Sequence, residues 1–140
     1  VPLKPGAREF LEYLKSHGIK AGIATSNGRE LLDAVVAGQG LAPYFQCLMT
    51  SCEAGAGKPA PDIYLKVAAE LGAKPEDCLV FEDTPAGAQA GKAAGAKVCS
   101  IYDAYAKERQ AENRRLADYY IHDFYQVLDG TYETLVPGQE

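Results

Sequence analysis

Three short segments of the sequence carry side chains that could bind a phosphate group or a metal ion. They are the hydroxyl segment Thr25-Ser26-Asn27, the loop residue Lys58 and the acidic pair Glu82-Asp83. Hydroxyl groups and free backbone N–H groups at the start of a helix can bind an anion, and a lysine can neutralise it. Carboxylates repel phosphate, but they bind Mg²⁺, which bridges carboxylate and phosphate oxygens. The set therefore predicts a phosphate site that contains a divalent cation.

Each segment also has an explanation that involves no ligand. The hydroxyl segment could simply cap the following helix, and Lys58 could be a solvated loop lysine. The acidic pair could stabilise the start of the helix near Pro85, where the helix dipole favours negative charge. However, two acidic residues directly after a buried strand are costly unless a cation compensates their charge. The order and loop placement of all three segments therefore favour a phosphate and metal site.

Apolar periodicity and turn residues predict strands and helices in alternation. The predicted strands span residues 20–24, 45–50, 78–81 and 97–102, with a short edge strand over 119–122. The predicted helices span residues 7–17, 62–71, 84–95 and 104–117, with one more from residue 27 to the glycines at 38 and 40. Short apolar strands separated by helices indicate an α/β fold of the Rossmann-like type, a parallel sheet with helices on both faces.

The element boundaries carry more specific predictions. Asn27 is predicted to open its helix, with Glu30 completing a capping box. The apolar face of that helix is predicted to consist of Leu31, Leu32, Val35 and Val36. Residues 51–60 are predicted as a loop, and Pro61 as the first residue of the next helix. Because ligands bind at the carboxyl ends of parallel strands, the three segments are expected to meet at one edge of the sheet.

Composition and charge narrow the function classes. Hydrophobic residues make up 47% and charged residues 24% of the 140 residues, which is typical of one globular domain. The net charge of −5 argues against a nucleic-acid partner, and no apolar run reaches the roughly 20 residues needed to cross a membrane. The four cysteines form no zinc-binding spacing, so we expect all four to be reduced core thiols in a cytoplasmic protein, with Cys52 the least certain.

From about Pro5 to Tyr102, the chain resembles the haloacid dehalogenase superfamily of phosphohydrolases, and most closely its beta-phosphoglucomutase-like subfamily. Residues 23–27 resemble the second motif of that family, residues 57–62 the third and residues 80–87 the fourth. The resemblance implies that Thr25, Ser26, Asn27 and Lys58 bind the phosphate, with Thr25 and Lys58 catalytic. It also implies that Glu82 and Asp83 bind Mg²⁺.

The implied function is a Mg²⁺-dependent phosphohydrolase that acts on a small phosphorylated metabolite, such as a sugar phosphate, through an aspartyl-phosphate. One alternative is a phosphomutase, and another is a non-catalytic scaffold or binding fragment. A signalling receiver domain uses similar groups, but there the acids precede the hydroxyl and the lysine. The oligomeric state is left open by the sequence.

The resemblance is incomplete at the N-terminus. The first motif of the family, Asp-x-Asp-Gly-Thr, supplies the nucleophile and the general acid–base, and nothing before Pro5 matches it. Residues 1–135 are therefore expected to form the C-terminal portion of a haloacid dehalogenase-like core, and residues 136–140 a tail. The central nucleophile strand and the cap domain would be missing, so the chain alone is expected to be inactive and to fold poorly without the missing N-terminal segment. Asp129-Gly130-Thr131 repeats half of the motif, but Val127 stands at the nucleophile position and a turn is the expected structure there.

Overall fold

The computed structural model describes residues 3–136, with the side chain of Tyr105 left out. The strands are β1 (Gly22–Thr25), β2 (Cys47–Thr50), β3 (Leu79–Glu82), β4 (Lys97–Ile101), β5 (Tyr119–Ile121) and β6 (Glu133–Thr134). The α-helices are α1 (Ala7–Ser16), α2 (Arg29–Gln39), α3 (Ser51–Ala54), α4 (Asp62–Leu71), α5 (Pro85–Ala93), α6 (Gln110–Leu116) and α7 (Tyr125–Asp129). Short 3₁₀ helices span Ala42–Tyr44, Pro75–Asp77 and Ala104–Arg109.

The strands form two separate sheets. β1 pairs in parallel with β2, and β3, β4 and β5 pair in parallel with one another. Strand β6 joins β5 in the antiparallel direction at the end of the second sheet. Within residues 3–136, β1 has β2 as its sole strand partner, and β3 has β4. The predicted α/β fold with a parallel sheet is confirmed, in the form of two half-sheets in which β1 and β3 are each paired on one side only among the described residues.

Two helices pack against both half-sheets. On α1, Leu11 packs against the same apolar cluster as Ile23 of β1, while the ring of Phe10 lies 5.4 Å from that of Phe81 on β3. Helix α4 contacts β1 and β2, and its Tyr64 packs against the cluster around Val80 of β3. Successive side chains of a strand point to opposite faces, so α1 and α4 cover opposite faces of β3. Helices therefore lie on both faces, as predicted, and hold the two half-sheets together.

The predicted start of α2 is wrong. The helix begins at Arg29 with Gly28 at its N-cap, and no side chain caps it. The Thr25 hydroxyl accepts a hydrogen bond from the Asn27 backbone N–H at 3.0 Å, which turns the chain before the helix begins. Of the predicted apolar face, Leu32 and Val36 are buried, but Leu31 is 52% exposed because it points away from the core.

Other boundaries also differ from the prediction. The predicted loop over residues 51–60 contains α3, which is capped by a Thr50–Glu53 capping box. The predicted helix over 104–117 is interrupted at Ala106, a buried residue with non-helical backbone angles. Helix α4 has the predicted bounds, although Pro61 is its N-cap rather than its first residue. Strand β3 is shifted by one residue, which places Glu82 inside the strand and on the same face as Val80.

The predicted edge position of β5 is wrong, because β6 pairs with its outer side. A two-residue strand has no periodicity of its own, so packing decides it. The Leu135 N–H donates to the Asp118 carbonyl at 2.8 Å, and Tyr132 contacts the ring of Tyr119. The turn predicted at residues 129–131 is confirmed, since Gly130 has a φ of 78° and ends α7.

The four cysteines are free thiols, as predicted, and Cys47 and Cys99 are buried. The predicted core position of Cys52 is wrong, because it lies on the exposed side of α3, and Cys78 is only partly buried. In the described part of the chain, no helix has the length and apolar character needed to cross a membrane. The tail predicted for residues 136–140 lies outside the described residues except for Val136.

Candidate active site

Lys58 joins the two half-sheets at the carboxyl ends of their strands. Its ammonium donates a hydrogen bond to the backbone carbonyl of Ala24 in β1 at 3.2 Å, and another to the carboxylate of Glu82 in β3. The side chains of Lys58 and Glu82 are 11% and 8% exposed, so this is a buried ion pair. The alternation of strands and helices in the sequence predicted that both residues lie at one edge of the sheet. In the structure their side chains are in contact.

The carboxylate of Glu82 occupies a small polar pocket. The Tyr64 hydroxyl donates to the same oxygen, Oε2, that accepts from Lys58. The backbone of Gly87 in α5 also lines the pocket, and an added Cβ there would lie inside the van der Waals radii of the carboxylate atoms. Thr84 caps this helix by accepting from the Gly87 N–H at 3.1 Å, and the helix start favours a nearby negative charge. Glycine at position 87 is therefore required for Glu82 to occupy this pocket.

Asp83 follows β3 directly and is partly buried. Burial and then the charge of Glu82 raise the pKa of the Asp83 carboxyl, and Asp103 raises it further while Lys4 lowers it. Its backbone carbonyl accepts a hydrogen bond from the buried amide of Asn113 at 2.9 Å, which fixes the chain at this point. Two adjacent carboxylates in a buried setting favour a cation beside them.

The donor set fits Mg²⁺ in part. Glu82 and Asp83 offer the oxygen ligands that Mg²⁺ prefers, and Mg²⁺ usually binds through one or two carboxylates plus water and phosphate. Residues 3–136 contain no cluster of three or more histidine, cysteine, aspartate or glutamate side chains that could hold a metal ion. The remaining ligands of a Mg²⁺ ion would therefore have to come from water, phosphate or groups outside these residues.

The hydroxyl segment lies at the end of β1. Thr25 is partly buried, whereas Ser26 and Asn27 are exposed. The Thr25 hydroxyl accepts a hydrogen bond from the Asn27 N–H. The backbone carbonyl of Thr25 accepts another from the Ser51 hydroxyl at 3.4 Å. No side chain caps α2, so backbone N–H groups of its first turn are available to an anion. The roles of these three residues in phosphate binding stay predictions.

An Arg29–Glu53 ion pair, which the sequence patterns did not predict, connects the two loops of the site. Arg29 donates to both carboxylate oxygens of Glu53 at 2.6 and 3.0 Å, and to the Leu48 carbonyl at 2.9 Å. Arg29 begins α2 directly after the hydroxyl segment, and Glu53 lies in the connection that leads to Lys58. The Thr50-x-x-Glu53 pattern is a capping-box signal that the sequence did contain. No local signal pointed to Tyr64 or to the arginine.

Replacing Glu53 with glutamine is expected to lower the melting temperature at neutral pH. Hydrogen bonds from Arg29 are the main reason that the pKa of Glu53 falls from 4.5 to about 2. A lowered carboxyl pKa stabilises the fold above the unfolded pKa, and this contribution is lost as the pH falls from about 4.5 to about 2. Thermal unfolding across this pH range should show the two melting temperatures converging in acid. Glu30→Gln, an exposed change on α2, is the control, and equal effects of both variants at every pH would contradict the prediction.

The sequence comparisons identify relatives of this chain. A family model for haloacid dehalogenase-like hydrolases matches residues 1–95, which include all of the predicted site residues. The chain is 42% identical to the phosphorylated carbohydrates phosphatase of Thermotoga maritima over 92 residues, which are 65% of this chain and 42% of that protein. It is 39% identical to the bifunctional riboflavin kinase/FMN phosphatase of Arabidopsis thaliana over 98 residues, 69% of this chain and 26% of the relative.

A solved structure gives the same result. The beta-phosphoglucomutase of Clostridium difficile superposes with a TM-score of 0.75 at 25% identity, over 89% of this chain and 52% of that protein. The chain thus spans about half the length, or less, of these relatives. The family of the chain follows from its parallel strands and helices, from the order of the three motifs and from these matches. The chain belongs to the haloacid dehalogenase-like hydrolases, and it is similar to the beta-phosphoglucomutase-like phosphatases among them.

Proposed function

We propose that this chain forms part of a Mg²⁺-dependent phosphohydrolase that acts on a small phosphorylated metabolite, with a sugar phosphate as the expected substrate. The observation that carries the proposal is the buried contact between Lys58 and Glu82 at the carboxyl ends of the strands. The contact supports the proposal, because phosphate transfer needs a cationic group for the phosphate and a carboxylate for the metal ion at the same place. The similarity to a phosphatase of phosphorylated carbohydrates supports the substrate class.

Each residue of the site has a distinct part in the proposal. Lys58 neutralises the charge of the phosphate, and the backbone N–H groups around Ser26 and Asn27 bind its oxygens together with the Thr25 hydroxyl. Glu82 and Asp83 would hold Mg²⁺, which supplies positive charge for the phosphate oxygens when it is bound. The Arg29–Glu53 ion pair keeps the loop of the hydroxyl segment and the connection to Lys58 in a fixed relation.

The nucleophile would be an aspartate on a segment other than these 140 residues. Two observations support this. No Asp-x-Asp-Gly-Thr motif accompanies the three matched motifs in the sequence. Among the described residues, the facing strands β1 and β3 have no strand between them, although Lys58 contacts both. A strand between them would pair with both open edges and end beside Lys58. The 140 residues alone would then be inactive.

With such an aspartate as the nucleophile, the reaction would proceed in two steps. A carboxylate oxygen forms a bond to phosphorus while the bond from phosphorus to the bridging substrate oxygen breaks. The leaving oxygen takes a proton from a general acid and departs as an alcohol. Water then attacks the aspartyl-phosphate and releases inorganic phosphate with the free carboxylate. Lys58 would stay bound to phosphate oxygens throughout both steps.

The phosphomutase alternative is supported by the likeness to the solved beta-phosphoglucomutase. A mutase returns the phosphoryl group to a sugar hydroxyl instead of water, so its product is an isomeric sugar phosphate. Assays that measure released phosphate and isomeric product together separate the two activities. A cytoplasmic location stays a prediction that the free thiols support.

Asp83→Asn in the intact protein is expected to reduce phosphatase activity by about 100-fold or more and to remove its dependence on Mg²⁺. The amide keeps the size of the side chain but removes the charge that would bind the cation. Phosphate release is measured from a series of sugar phosphates while Mg²⁺ is titrated. The matched control is Asp77→Asn, an exposed aspartate before the amino end of β3. Full turnover by Asp83→Asn would overturn the metal assignment.

A further inference from the structure

Tyr64 is the residue of α4 that reaches the acidic pair. It is the third residue of the helix, and it is followed by the buried residues Val67 and Ala68, which hold α4 against β1 and β2. The ring of Tyr64 packs against the cluster that includes Val80 and Ala88. These apolar contacts hold the ring, and its hydroxyl donates a hydrogen bond to the carboxylate of Glu82.

The hydrogen bonds make the two oxygens of Glu82 unequal. Oε2 accepts from both Lys58 and Tyr64, and no described residue donates a hydrogen bond to Oε1. The backbone of Gly87 lies against the carboxylate, because an added Cβ there would overlap both of its oxygens. The carboxylate is thereby held in one orientation, with Oε1 left as the oxygen for an additional ligand.

Tyr64 also contacts the ammonium of Lys58. The Nζ atom lies 5.1 Å from the centre of the tyrosine ring, within the range of a cation–π interaction. Under the proposed function, the ammonium must be shared among the phosphate, Ala24 and Glu82. The tyrosine hydroxyl makes no such exchange, because its ring is held by apolar contacts and its hydrogen bond goes to Glu82. It can therefore hold Glu82 in place when the lysine turns toward a phosphate.

We propose that Tyr64 is a positioning residue for the metal ligand Glu82. By donating to Oε2 it presents Oε1 to a divalent cation, and its ring keeps Lys58 beside the same carboxylate. The inference rests on the proposed function, since it assumes that Glu82 binds Mg²⁺. It goes beyond the three sequence motifs, because the tyrosine acts through a side-chain contact that the motifs do not specify.

The test is a Mg²⁺ titration of the intact protein and its Tyr64→Phe variant by isothermal titration calorimetry. Phenylalanine keeps the ring, its apolar contacts and its contact with Lys58, and removes only the hydroxyl. The variant is expected to bind Mg²⁺ about 10-fold to 100-fold more weakly. The control is Tyr44→Phe, because the Tyr44 hydroxyl also donates to a glutamate, Glu12, but on an exposed surface. This control should bind Mg²⁺ as the wild type does.

A double variant separates positioning from a general loss of stability. In a Glu82→Gln background, Tyr64→Phe should cause no further loss of Mg²⁺ affinity, because its effect passes through the Glu82 carboxylate. Additive losses would overturn the inference, as would a Tyr64→Phe variant that binds Mg²⁺ like the wild type. In both of those cases, Mg²⁺ binding by the wild type would leave the proposed function intact. A wild-type protein that binds no Mg²⁺ would overturn the inference and the metal assignment together.

Discussion

Replacing Gly87 with alanine is expected to destabilise the protein by about 3 kcal/mol or more and to abolish Mg²⁺ binding. The added Cβ would collide with the carboxylate of Glu82, which cannot move deeper because the pocket is closed by Lys58 and Tyr64. The carboxylate would have to leave its two donors, and the buried ammonium of Lys58 would lose its partner. Urea denaturation measures the loss of stability, and calorimetry measures the loss of Mg²⁺ binding.

Gly38→Ala provides a matched control for this change. Gly38 also lies within a helix, α2, and no atom lies within 4 Å of the position that its Cβ would take. Alanine there is expected to stabilise the protein by about 0.5–1 kcal/mol, because it restricts the unfolded chain and favours the helix. Alanine favours the helix equally at position 87. A loss of stability there would therefore be due to the collision with the Glu82 carboxylate. A Gly87→Ala variant as stable as Gly38→Ala would show that Glu82 does not occupy the pocket.

Lys58→Met is expected to have the second large effect, a loss of about 3–5 kcal/mol in the free energy of unfolding together with loss of activity. Methionine keeps an unbranched apolar side chain but removes the ammonium, so the buried carboxylate of Glu82 is left with Tyr64 as its hydrogen-bond donor. The link to the Ala24 carbonyl of β1 is also lost. Chemical denaturation measures the stability, and phosphate release by the intact protein measures the activity.

A second substitution distinguishes the structural part of Lys58 from its catalytic part. In the double variant Lys58→Met/Glu82→Leu, no buried charge is left unpaired, so most of the lost stability should return. Activity should stay absent, because neither the phosphate nor the cation has its ligand. The control is Lys66→Met, since Lys66 is exposed on α4 and donates to the Ala54 carbonyl. Equal destabilisation by Lys66→Met would show that the effect does not arise from the buried pair.

The sequence by itself determined the elements that carry the site. Short apolar runs followed by helix patterns predicted parallel strands, and parallel strands place their carboxyl ends at one edge. That rule predicted that Lys58 and Glu82 lie at the same edge, although it predicted no contact between them. In the structure the two side chains form an ion pair. Helix α4 was predicted with its observed bounds because Pro61 and Gly72 mark its two ends with strong local signals.

Tertiary structure decided the contacts within the site and several element ends. Local patterns could not show that a two-residue strand joins β5, since that strand depends on hydrogen bonds to a distant part of the chain. The hydrogen bond from the Asn27 N–H to the Thr25 hydroxyl is local, but the sequence allowed Asn27 to cap α2 equally well. The capping box of Glu53 was readable, but its pairing with Arg29 spans 24 residues of sequence. Such pairings form only when packing brings distant elements together, because periodicity describes which face is buried and not which atoms meet there.

The pocket of Glu82 also has features that the sequence predicted and features that depend on the folded chain. Its chemistry was visible in the sequence as an acidic pair after a buried strand, a position where burial of charge is costly without a compensating partner. What compensates it was not visible: a lysine 24 residues away, a tyrosine 18 residues away and a glycine that leaves the space. The sequence therefore determined which groups reach the site, and the packing of α4 and α5 against β3 decided how they are held, because donor geometry and free volume exist only in the folded chain.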